Sequence, residues 1–115
     1  MPTDTAVYEL RIYHTYEGRL PALLARFRDH TTKLFEKHGM KNVAYWTATD
    51  DPQKSNTLVY LLAHPSREAA EANWKSFRAD PDWIAVRDQS EAAGKLVEKI
   101  DSTFLTPTDF SPPLR

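Results

Sequence analysis

The side chains of this sequence that could do chemistry are a Glu9/Arg11 pair, four histidines, and a set of three Trp and five Tyr. Opposite charges two residues apart share one face of a strand, and on a central strand such charges are costly unless they pair. One reading of the pair is an arginine held by its glutamate so as to orient an anionic group of a substrate. The other is an ion pair across a sheet-to-sheet subunit interface, favoured because the face opposite the helices is where a partner would sit. His30 and His38 are eight apart, which on a helix is roughly 12 Å and too far to share one ion. His14 and His64 fall at opposite ends of neighbouring strands, whereas His38 and His64 fall at one edge near Tyr8. With no Asp or Glu evident beside them, a metal site is not expected, and a proton-transfer or ligand-orienting role for His64 is the functional reading. Trp46, Trp74, Trp83, Tyr8, Tyr13, Tyr16, Tyr45 and Tyr60 suit a core and an interface. Their functional alternative is a pocket between the second helix and the sheet, lined by rings and closed by His64 or Tyr60.

Those residues need elements to position them. Val7 to Thr15 alternates as a strand, with Tyr8, Leu10, Ile12 and His14 on one face and Val7, Glu9, Arg11 and Tyr13 on the other. From Arg19 to His38, Leu20, Leu23, Leu24, Phe27, Thr31, Leu34 and Phe35 recur at helical spacing. Pro21 suits the first turn and Gly39 the left-handed position that ends the helix. Asn42 to Thr49 reads as a second strand, Asp50 to Asn56 as a loop, and Thr57 to His64 as a third strand, apolar enough to be buried on both faces. Ser66 is the expected N-cap of a second helix carrying Ala70, Trp74 and Phe77. Asp80-Pro81 restarts the chain as a separate helical piece to about Ala93. Leu96 to Pro107 forms the last strand, and Thr106 to Arg115 is an extended tail whose aromatic anchor is Phe110.

The order β-α-β-β-α-β is the ferredoxin-like α+β arrangement, an antiparallel sheet covered by helices on one face. Right-handed crossovers place the third strand between the first and second, with the fourth outside the first. Apolar residues on both faces of the second and third strands point to a second copy packed sheet against sheet, a homodimer.

The chain of 115 residues, with 15 Lys+Arg against 16 Asp+Glu, is expected to form a single domain. Near-neutral charge argues against nucleic acid as a partner. The longest apolar run, Leu58 to Ala63, is far shorter than the roughly 20 residues of a membrane span. Absence of cysteine excludes disulfides, thiol nucleophiles and Cys-bound zinc. The short acidic start Met1 to Ala6 has no signal-peptide or transit-peptide character, so a cytoplasmic location is expected. No phosphate loop, nucleophile elbow or zinc-protease motif is present, and no cofactor is implied by any motif.

Tyr8-Glu9-Leu10-Arg11-Ile12-Tyr13, Glu17-Gly18-Arg19-Leu20, Lys37-His38-Gly39, Asp80-Pro81-Asp82-Trp83 and Leu105-Thr106-Pro107 with Phe110-Ser111-Pro112 together resemble the NIPSNAP family over nearly the whole chain. The resemblance implies a dimeric α+β barrel, whose wider superfamily includes cofactor-free monooxygenases, haem-degrading enzymes and isomerases. Ala63-His64 departs from the family pattern, in which an aromatic is commoner at the end of this strand. Two functions follow as expectations. One is a cofactor-independent enzyme acting on a small hydrophobic or aromatic molecule. In it Tyr8, Tyr60 and His64 orient the substrate or move a proton, Trp46 and Trp74 pack against it, and Arg11 steadies an acidic group. The other is a non-catalytic binding or protein-interaction module. Haem degradation is a third, disfavoured by the lack of a clearly placed proximal ligand.

Overall fold

Strand β1 (Val7–Thr15) opens the fold with the predicted alternation and bounds. The computed structural model describes residues 6–113; most of the acidic N-terminal start and the end of the tail lie outside these. The first helical region has three parts, α1 (Leu20–Arg26), a π-helical turn (Phe27–Thr31) and α2 (Thr32–Lys37). The sequence predicts one uniform helix here. The wider turn comes with two threonine hydroxyls that reach back five residues, Thr31 to the Arg26 carbonyl at 3.3 Å and Thr32 to that of Phe27 at 3.1 Å. Gly39 ends α2 at φ +81°, and the Met40 and Gly39 amides close onto the Phe35 and Glu36 carbonyls at 2.9 and 3.1 Å, a Schellman pattern.

Next come β2 (Lys41–Thr47), β3 (Thr57–His64), α3 (Arg67–Ala79), α4 (Pro81–Ser90) and β4 (Val97–Leu105). The Ser66 side chain accepts from the Ala69 amide at 3.0 Å, and Asp80 accepts from the Asp82 amide at 2.8 Å, so both predicted N-caps are in place. The α4 helix stops at Ser90, short of the predicted Ala93, in a turn that leads to Gly94.

The sheet runs β2-β3-β1-β4 with every neighbouring pair antiparallel, which makes β1 and β2 parallel. This is the ferredoxin-like order that the crossover rules select. Register fixes the faces. Glu9 opposes Leu62 and Phe104, Arg11 opposes Tyr60 and Ser102, and Tyr13 opposes Leu58 and Ile100. This set faces the helices, where Leu23, Phe27, Phe35, Tyr60, Leu62, Trp74 and Phe77 make the core.

The other face pairs Leu10 with Leu61, Ile12 with Val59, and Trp46 with Val59. Leu10, Ile12, Val59 and Leu61 at its centre remain half-buried and Trp46 is 50% accessible, whereas Tyr8 and Thr57 near its ends are buried. Two expectations are corrected here. Within one chain β3 is buried on a single face, through Leu58, Tyr60, Leu62 and His64, because no helix covers Val59, Leu61 and Ala63. Glu9 and Arg11 lie under the helices rather than on the open face, because their parity is that of Tyr13 and Tyr60.

Candidate functional site

Glu9 is the hub of a buried polar network. Its Oε1 accepts from His64 Nε2 at 2.9 Å and from the Trp74 indole at 2.8 Å. Its Oε2 accepts from Arg11 at 2.9 Å and from the Ser102 hydroxyl at 2.7 Å. Two oxygens with four donors make a fully satisfied carboxylate, although its residue is only 2% exposed. Burial by itself would raise the carboxyl. Hydrogen bonds from His64, Ser102, Trp74 and Arg11 outweigh it and hold the group at about 2. Since the carboxylate can only accept, His64 donates from Nε2, and its buried Nδ1 has no hydrogen-bond partner among the described residues.

Arg11 is held from several sides. Beyond Glu9, its Nε donates to the Tyr60 hydroxyl at 2.9 Å and a terminal nitrogen donates to the Tyr13 hydroxyl at 3.1 Å. Its guanidinium lies 4.2 Å from the centre of the Trp74 ring. Burial would lower the affinity of Arg11 for its proton, but the surrounding Tyr13, Tyr60 and Glu9 groups raise it, so the charge is permanent. Burial raises the Tyr60 hydroxyl far above the ordinary tyrosine range and keeps it protonated. Tyr13 and Tyr60 are themselves hydrogen-bonded at 2.8 Å.

On the helix side of this network a cavity of about 800 Å³ opens between β1, β4 and the helices. Its walls are aromatic, chiefly Phe27, Phe35, Trp74, Phe77 and Trp83, and Arg11 and Tyr13 reach it from β1. The π-helical turn contributes both Phe27 and Thr31 to the lining, and Arg26, stacked 5.0 Å over Trp83, contributes a second buried guanidinium. Six cationic side chains against three carboxylates line the cavity, so it is electropositive in a chain whose formal charge is −1.

Of the residues singled out in the sequence, the structure gathers Arg11, Tyr60, His64 and Trp74 around Glu9. Arg11 and Trp74 touch the cavity, whereas Tyr60 and His64 stand behind them, fully buried. Tyr8 and Trp46 are on the opposite face of the sheet, and Tyr8 borders a smaller cleft of about 310 Å³ formed with the tail prolines. Trp46 and Trp74, paired in the sequence reading, are therefore separated by the sheet itself.

The histidines also have acidic neighbours that the sequence did not reveal: His14 meets Asp101 at 3.0 Å, His38 meets Asp80 at 2.7 Å, and His64 meets Glu9. Among the described residues no three His, Asp or Glu side chains gather as a metal site. The cavity lining holds no histidine, so a haem seated there would meet no imidazole. Sequence reasoning missed Tyr13 as a lining residue, although its parity with Glu9 and Arg11 was the available signal. Ser102 had no such signal, since only the pairing of β4 with β1 brings it to Glu9.

A β2-β3-β1-β4 sheet with helices over one face and a ligand-sized aromatic cavity between them defines a ferredoxin-like α+β protein. The NIPSNAP family model matches residues 8–112, and the chain belongs to the NIPSNAP family. An uncharacterised NIPSNAP-like domain protein from Burkholderia xenovorans superposes with a TM-score of 0.82 at 19% identity, covering 98% of this chain and 94% of that one. A NIPSNAP family protein of unknown function from Agrobacterium tumefaciens gives 0.80 at 22% identity, with 96% of each chain covered. SnoaB, a cofactor-independent oxygenase from Streptomyces nogalater, shares the fold at a TM-score of 0.61 and 14% identity, over 95% of this chain and 99% of that one. No curated protein matches the sequence. Among the described residues no helix is long and apolar enough to cross a membrane.

Proposed function

We propose that this NIPSNAP protein is a homodimer of single-domain subunits, with residues 106–115 as an extended tail, that binds a small aromatic molecule in the cavity of each subunit. The observation that carries this reading is Arg11, a fixed cation set among aromatic walls, a combination that suits a flat apolar body bearing an acidic group. As an enzyme it would work in the cytoplasm and without a cofactor. When O₂ is the oxidant and nothing else carries electrons, the substrate must be the reductant, and an ionised hydroxyarene is far more easily oxidised than its neutral form. A preorganised guanidinium beside the ring oxygen would favour that ionised form. The cofactor-independent oxygenase with the same fold makes this chemistry the first to test. Tyr60 and His64 would act from behind, the first through Tyr13 and the second through Glu9. Tyr8 and Trp46 would act at the open sheet face, where a second subunit would complete a barrel.

The test joins native mass spectrometry of the purified protein with binding and turnover of hydroxynaphthalenes. A dimer, quenching of Trp74 and Trp83 fluorescence, and O₂ uptake without added cofactor are the expected results. Binding without O₂ uptake would favour the non-catalytic module. Absence of quenching by every hydroxynaphthalene and naphthalene probe would overturn the cavity as the ligand site.

A further inference from the structure

We infer that the Tyr13 hydroxyl is a ligand-facing hydrogen-bond donor, and that with Arg11 it makes a donor-only seat for an oxyanion of the ligand. The inference rests on the cavity being the ligand site and follows from an account of each proton around Arg11. Tyr60 is fully buried, and its hydroxyl meets two groups among the described residues, Arg11 Nε at 2.9 Å and Tyr13 at 2.8 Å. An arginine only donates, so Tyr60 accepts from Arg11, and its own hydrogen has one acceptor left, the Tyr13 oxygen. The raised Tyr60 hydroxyl, which keeps its proton, agrees with that direction.

Tyr13 oxygen thus accepts twice, from Tyr60 and from Arg11 at 3.1 Å, and both of its lone pairs are engaged. Its own hydrogen has no acceptor among the described residues, and the ring lines the cavity. Arg11 uses three N–H groups, on Tyr60, Glu9 and Tyr13, and the remaining two of a guanidinium's five have no partner among the described residues. The Glu9 carboxylate, the acceptor bonded to Arg11, does not line the cavity and is saturated by its own four donors. The seat formed by Arg11 and Tyr13 therefore offers hydrogens and no lone pair. A carboxylate, phenolate or enolate oxygen satisfies it, whereas an amine or ammonium does not. Tyr60 becomes a positioning residue that fixes the direction of the Tyr13 proton.

The experiment is fluorescence titration of the intact protein with 1-naphthoate, 1-methylnaphthalene and 1-naphthylmethylammonium, for the native chain and the variants Tyr13→Phe and Tyr60→Phe. Native protein should bind naphthoate at least roughly tenfold more tightly than methylnaphthalene and bind the ammonium most weakly, as expected for a hydrogen bond to a charged group. Tyr13→Phe should lose most of the naphthoate preference while leaving methylnaphthalene unchanged. Tyr60→Phe should lose less, since the Tyr13 hydrogen stays in place. The probe preference of the native chain tests the seat without any variant, and unchanged unfolding midpoints identify the variants that report on it. Naphthoate binding untouched by Tyr13→Phe, or an equal loss in Tyr60→Phe, would overturn the assignment. If methylnaphthalene binds and naphthoate gains nothing, the seat fails while the cavity reading stands; if no probe binds, both fail.

Discussion

Glu9 shows how a buried charge is kept in this fold, and the consequence can be measured. Its carboxyl is held at about 2 against an ordinary 4.5, so the stability it contributes is complete above about pH 4.5 and is lost as the pH falls toward 2. A shift of that size corresponds to about 3 kcal/mol. Stability to urea should therefore decline over that window, and the Glu9 carboxyl carbon should titrate in NMR near 2; titration above 4 would contradict the network. Ser102→Ala removes one of four donors without leaving a charge unpaired. It should cost about 1–2 kcal/mol at neutral pH and raise the Glu9 midpoint, and an unmoved midpoint would mean that Ser102 contributes nothing to the carboxylate.

At the scale of elements, local signals and local structure agree closely where the chemistry is local. The Schellman turn at Gly39 is an example. Gly39→Ala places an L side chain at φ +81°, and its Cβ would lie 3.0 Å from the Asn73 side-chain nitrogen. The expected loss is about 1–2 kcal/mol by chemical unfolding. Adding Asn73→Ala should recover only the steric part, because the backbone strain stays; complete recovery would show that strain is negligible. Asp80 has a wider role than its cap, since it also accepts from Lys37 at 2.8 Å and from His38, which ties the end of α2 to the α3–α4 junction. These bonds, with the Asp82 amide, hold its carboxyl well below the usual range, so it adds to the loss of stability in acid. The π-helical turn was not legible, because Phe27 and Thr31 fit an α-helical spacing equally well. What distinguishes it is the reach of two threonine hydroxyls to carbonyls five residues back.

For the whole molecule the unpartnered feature is the open sheet face. Leu10, Ile12, Val59 and Leu61 form an apolar stripe through the middle of it, flanked by the half-exposed Trp46. A second copy would remove that surface from water. Leu61→Lys should yield a folded monomer by sedimentation, with far-UV circular dichroism unchanged, because Leu61 packs against nothing under the helices. A Leu61→Lys chain that still sediments as a dimer would move the interface elsewhere.

The sequence by itself determined the order of elements, both helix N-caps, the glycine that ends α2, the sheet order and the family, since each depends on spacing and residue type within a short stretch or on general handedness. It also determined that Glu9, Arg11 and Tyr13 share a face, because side-chain period in a strand is two. Only the tertiary structure decided which face that was. Parity separates two sets of side chains but does not say which set the helices cover, and that choice turned Arg11 from an interface residue into a wall of the cavity and Glu9 into the buried carboxylate that holds it. The same holds for Ser102, His64 and Trp74, which stand 93, 55 and 65 residues from Glu9 and meet its carboxylate because three strands and a helix close around it.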